Sequence, residues 1–209
     1  MLAVREEDRS EIVDLSESLA ITNGITINAL CALSGLELHK NCITQAKASA
    51  DFIRNHLRTT DGGFSPSLIL DEYAYVLDGL VSLLQKSWRE ADIAFARKIA
   101  EALIDDFYDT EFGGFYMAPR NTEHLIFNPK PTMDETSGPG NAIASSALNK
   151  LGLILGESKF RDAALNTLRW ARTIIEYNPG SHCAFMTSLF ETARIKYVVV
   201  FRGPDEERR

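Results

Sequence analysis

Cysteine is scarce in this sequence and badly spaced for chemistry: Cys31, Cys42 and Cys183 form neither a CxxC pair nor a zinc-ligand pattern. An odd, scattered set of thiols excludes a disulfide framework and predicts buried free thiols in a reducing, cytoplasmic setting. Long apolar runs are missing too. No stretch approaches the ~20 residues of a membrane-spanning helix, and the opening MLAVREEDRS has acids where a secretory signal would need an apolar run. Positive charge is thin. The 22 Lys and Arg against 29 Asp and Glu leave a net charge of −7, with the basic residues scattered. Such a surface repels phosphate backbones and anionic lipid, which excludes nucleic acid and membrane as expected partners. Histidine is also rare. His39, His56 and His124 fall at no metal-ligand spacing, so neither a metal nor a cofactor is expected.

What the sequence does hold is a repeat. Asp61-Gly62-Gly63-Phe64 and Phe112-Gly113-Gly114-Phe115 lie about fifty residues apart, each between two amphipathic stretches. Paired glycines permit the positive φ that a sharp return needs, and the phenylalanines read as core plugs between adjacent helical hairpins. With 209 residues, 45% of them apolar, the chain is long enough for one domain with a substantial core.

Hydrophobic periodicity predicts seven helices. The first covers 23–38 with Ile27, Leu30, Leu33 and Leu36 on its stripe, and the second covers 43–57. Ile69, Tyr73, Leu77, Leu80 and Leu84 mark the third, and 90–107 the fourth. A polar loop over 108–138 leads to a fifth helix after Pro139, where proline suits a first turn. Phe160, Ala164, Leu168, Ala171 and Ile175 mark the sixth, and the seventh runs from about His182 toward Ala193. Residues 1–20 read as a charged lead-in, 21–196 as the helical domain, and 197–209 as a short strand with a charged tail. The fold class is therefore all-α, a stack of helical hairpins forming a partial (α/α)6 toroid with a short C-terminal strand.

Long connections precede the odd-numbered helices and short ones follow them, so the odd-numbered helices are expected to begin at one common rim. That rim would gather Asn23, Asp71, Glu72, Tyr73, Asp134, Asn141 and His182. Singly, Asn23, Asp71 and Asn141 read as helix caps and Asp134 as a turn residue. Together, polar groups at converging helix N-termini form a place for hydroxyls or anions.

A family resemblance rests on motifs in a fixed order: Thr22-Asn23-Gly24-Ile25, Leu70-Asp71-Glu72-Tyr73-Ala74-Tyr75, Glu111-Phe112-Gly113-Gly114-Phe115-Tyr116, Pro129-Lys130 leading to Asp134, Gly140-Asn141-Ala142-Ile143, and Val198-Val199-Val200 before Gly203-Pro204-Asp205. Over roughly residues 20–205 the chain resembles the helical toroid of the thioredoxin-domain proteins related to spermatogenesis-associated protein 20. That toroid is in turn similar to the N-acylglucosamine 2-epimerase and six-hairpin glycosidase folds. Thr22 stands where the family usually has Trp, and Asn128 where Arg commonly precedes Pro-Lys. The family's thioredoxin-like domain and first hairpins have no counterpart here, and a full ring of twelve helices needs ~300 residues or more.

The resemblance implies carbohydrate binding or processing, of the epimerase or glycosidase kind. His182 would exchange a proton beside a carbonyl, with Asp71, Glu72 or Asp134 as its counterpart. Asn23, Tyr73, Lys130 and Asn141 would bind a small sugar. A reading from another class treats the chain as a non-catalytic helical scaffold or interaction module that completes a larger assembly. An open stack leaves apolar end faces uncovered, so a homo-oligomer or a partner subunit is expected.

Overall fold

The computed structural model describes residues 6–35, 41–56, 69–122 and 125–194, with side chains in the first helix from Leu19 onward. Seven α-helices appear: α1 Glu6–Leu33, α2 Cys42–His56, α3 Leu70–Leu84, α4 Glu90–Ala102, α5 Gly140–Leu155, α6 Ser158–Tyr177 and α7 Cys183–Arg194. A π-helical turn, Leu103–Phe107, continues α4, and a 3-10 turn, Pro179–Ser181, precedes α7. Among the described residues the only strand-like pairing is a single bridge between Tyr108 and Phe115. The expected strand at 197–201 and the first Gly-Gly-Phe loop lie outside the described residues, as do His39 and His124.

One boundary departs from the periodic reading. α1 starts at Glu6 rather than at Asn23, because no Gly or Pro interrupts Glu6 to Asn23 and the intervening residues are adequate helix formers. The segment expected as a lead-in therefore carries the first turns of α1. Helix ends elsewhere have local causes. Pro139 stands just before α5 with φ −66°, and Gly156 ends α5 with φ 72°, the left-handed conformation typical after a last turn.

The packing order follows the hairpins. α1 packs on α3, α3 on α5 and α5 on α7, while α2, α4 and α6 each pack on their hairpin partner. Successive odd-numbered helices run parallel. Gly24 of α1 lies against Tyr75 and Val76 of α3, and Asn28, one turn on, bonds Asp78. Asp71 meets Gly140 of α5, and Ser146 and Asn149 reach Glu191 and Thr192 of α7. Most of the core lies between these layers. Leu77, Leu80, Leu83, Phe107, Phe115, Leu148 and Phe160 are fully or almost fully withdrawn from water, each contributing about 1.5–3 kcal/mol of burial. α2 and α4 are tied by charge as well. The buried carboxylate of Asp92 accepts from Arg89 at 2.6 and 2.8 Å and from Arg54 at 3.1 Å.

The second Gly-Gly-Phe loop shows why two glycines stand there. Gly113 and Gly114 both have φ +80°, and a Cβ on Gly114 would come within 2.7 Å of the Trp170 ring on α6. Phe115 is fully buried, matching its reading as a core plug. The cysteines are all free. Cys31 and Cys42 are buried as expected, but Cys183 is exposed, because it opens α7 on the side turned away from α5 and α6.

Candidate functional site

The starts of α3, α5 and α7 share one end of the molecule, and hydrogen bonds knit that end together. Asp71 Oδ1 accepts from the Gly140 N–H at 2.9 Å, so it caps α5 rather than its own helix. Burial pushes the Asp71 carboxyl above its usual range, and Glu135 adds to this against the opposing Gly140 bond. Asp134 repeats the device one hairpin later. Its carboxylate accepts from the Ala184 N–H at 3.2–3.3 Å and its own N–H donates to the Ser181 carbonyl at 2.9 Å, which caps α7.

Asn141 is fully buried and holds the second glycine loop. Its Oδ1 accepts from the Phe115 N–H at 2.7 Å, while Nδ2 donates to the carbonyls of Phe115 at 2.8 Å and Pro131 at 3.0 Å. Lys130, next to Pro131, is equally occupied. Its ammonium bonds Asp109 and the Gly113 carbonyl and lies over the rings of Tyr116 and Trp170. Burial would raise the Asp109 carboxyl. Lys130, the N–H groups of Phe112 and Glu111, and the Tyr116 hydroxyl outweigh burial and hold it at about 2.

Because that value lies below the ~3.9 of an unfolded aspartate, the lock contributes stability above about pH 4. The contribution, about 2 kcal/mol, is lost as pH falls through 2. Replacing Lys130 by Met is expected to raise the Asp109 pKa and move acid unfolding to higher pH. Carboxyl NMR titration of the wild type and the variant reads the shift, and an unmoved Asp109 would exclude Lys130 as its main support.

The remaining expected site residues are distributed differently. Tyr73 is buried with its ring 5.1 Å from Phe107, and Glu72 is fully buried, so both belong to the interior rather than to an open rim. Asn23 lies mid-helix, since α1 begins upstream of it, and its amide donates to the Leu19 carbonyl one turn back. Tyr75 takes the rim position expected of Tyr73, donating to the Gly138 carbonyl at 2.8 Å. His182 is buried just ahead of α7. Its Nδ1 lies 2.7 Å from the Asn178 carbonyl, which can only accept, so Nδ1 donates there. Nε2 is buried and has no hydrogen-bond partner among the described residues.

A second polar group crosses the odd-numbered helices farther along, and periodicity did not single it out. Asn28 donates to Asp78 and accepts from Ser82 at 3.2 Å. Lys150 pairs with Glu191 at 2.8 Å, and Ser146 donates to the same carboxylate at 2.7 Å. Burial raises the Asp78 carboxyl, while Lys150 and Asn28 oppose the rise and Glu191 reinforces it. The available signal was the heptad-like series Asp71, Tyr75, Asp78 and Ser82, a polar line inside an otherwise apolar helix. These side chains pair with one another across α1, α3, α5 and α7. The rim carboxylates Asp71 and Asp134 are engaged in capping.

Among the described residues no cluster of three His, Cys, Asp or Glu could hold a metal ion, and no helix is long and apolar enough to cross a membrane. No protein-family model and no curated protein matches this sequence.

Proposed function

We propose that this chain is a helical scaffold, part of an α/α-toroid-like stack, that docks another helical element along α1. One observation carries the reading. From Leu19 to Leu33 α1 has no charged residue, and its exposed positions, among them Leu19, Thr22, Thr26, Ala29 and Leu33, recur every three or four residues. A helix face left in water normally bears charge, whereas one that packs on a neighbour does not. The same helix buries Ala20, Gly24, Ile27 and Cys31 on its opposite side, against the rest of the chain. Thr26→Glu tests the reading. It is expected to leave the melting temperature within about 2 °C, as exposed substitutions do, while reducing association and the binding of an apolar-surface dye. Marked destabilisation would mean that the face is internal, and unchanged dye binding and association would remove the docking role.

A second reading keeps the carbohydrate chemistry implied by the family resemblance. The Nε2 of His182, which has no hydrogen-bond partner among the described residues, favours it, because a proton-exchanging histidine needs a free nitrogen. A sugar panel that raises the melting temperature of the wild type but not of His182→Gln would support this reading. Equal shifts in both would remove His182 from any sugar site.

A further inference from the structure

Resting on the docking reading above, we infer that the element covering α1 is a second copy of this chain, contributing its α7. The row of odd-numbered helices has two ends. At one, α1 presents its uncharged face on the side away from α3. At the other, α7 turns Cys183, Met186, Phe190 and Ala193 to solvent on the side away from α5. Phe190 is 63% exposed and Met186 47%, large values for an aromatic and a thioether side chain. The sole charge in that line, Arg194, lies at the helix end with its guanidinium 5.6 Å from the Phe190 ring.

Three features point to a copy rather than an unrelated helix. Within the chain, odd-numbered helices already pack parallel at three successive junctions, so α7 against the α1 of a second copy would be a fourth junction of the same kind. The side chains of the two faces are apolar or uncharged at matching heights. Gly24 is level with Tyr75, Asp71 with Gly140, and Ser146 with Glu191, which sets Met186 level with Ile21 and Phe190 level with Ile25, each one residue from the exposed Thr22 and Thr26. The two bulky side chains of α7 then meet a face of α1 on which the small Thr22, Thr26 and Ala29 lie between the exposed Leu19, Ile25 and Leu33, an apolar surface with room for knobs. Neither face would bury an unpaired acid or amine on contact.

Because the two faces differ, the contact is head-to-tail and either closes into a ring or extends as an open chain. Closure engages both faces of every copy. That matters because stable interfaces start at about 1,200 Å², a large area for one pair of short helices.

Sedimentation of the full chain in reducing buffer, which keeps Cys183 from forming spurious disulfides, tests the inference. The wild type is expected to associate with rising concentration. Thr26→Glu on α1 and Phe190→Glu on α7 should each weaken association about tenfold or more. An equimolar mixture of the two should recover a 1:1 dimer, since it retains one intact α1 face and one intact α7 face. Ala29→Glu and Met186→Glu repeat the experiment should either first variant melt early. A mixture that stays monomeric, or a Phe190→Glu variant that associates like wild type, would overturn head-to-tail pairing. A monomeric wild type overturns it as well. Apolar dye held by that monomer and lost in Thr26→Glu would then leave the docking reading standing, with a different protein as occupant. Absence of both dye binding and association would overturn the two readings together.

Discussion

Replacing Gly24 by valine is expected to cost about 3 kcal/mol, the upper part of the range for forcing bulk into a packed interface. A Cβ at that position would come within 2.4 Å of the Tyr75 carbonyl oxygen and 2.9 Å of the Val76 nitrogen. Both are backbone atoms of α3 and cannot rotate away. From the other side, a Cβ on Gly79 would come within 2.6 Å of the Gly24 carbonyl. The two glycines let the backbones of α1 and α3 touch, and any side chain there must push the helices apart. Valine would separate them at the point where Ile27 and Leu77 complete the core. In thermal unfolding the melting temperature should fall by about 6–12 °C. Gly35→Ala serves as the control, because its nearest added contact is an ordinary 3.7 Å. Equal effects at the two positions would show that lost chain flexibility, not helix contact, sets the outcome.

Asn141→Ala is expected to be the most damaging single deletion of a polar group, at about 4 kcal/mol. The change leaves the N–H and C=O of Phe115 and the C=O of Pro131 without their partner. An unsatisfied buried group costs about 1–3 kcal/mol each, offset in part by whatever water can enter. Asn141→Asp should do little better: an aspartate can still accept from the Phe115 N–H but cannot donate to the two carbonyls. Denaturant titration reads both variants. Hydrogen exchange at the Phe115 amide should accelerate along with the loss of stability. If Asn141→Ala unfolds at the wild-type midpoint, the clamp on the glycine loop has no energetic role.

The rim illustrates how polar residues that gather at helix starts can tie one helix to the next. Asp71, Asp134, Asn141 and His182 do gather where three helices begin. The two aspartates and Asn141 meet backbone groups there, and Lys130 is held by Asp109. The Asp71 partner lies 69 residues away, which no local pattern announces. Glu72 and Tyr73, adjacent to Asp71, turn inward because neighbouring residues on a helix point about 100° apart. The polar line of Asp78, Lys150 and Glu191 was passed over for the converse reason. The three residues lie on three different helices, and only the parallel packing of α3, α5 and α7 brings them together.

By itself the sequence determined the helical class, six of the seven helix starts to within a residue or two, and the hairpin order. These follow from short-range causes: the 3.6-residue recurrence of apolar side chains, the position of Pro139, and the glycines at 113, 114 and 156. The seventh start, that of α1, escaped because the charged residues before Asn23 are only weakly periodic in sequence. Tertiary structure alone decided which polar groups are spent in holding helices together and which faces stay open. Hydrogen-bond partners are chosen by proximity across the fold, and burial, which pushes the carboxyls of Asp71 and Asp78 upward, exists only once the helices have packed.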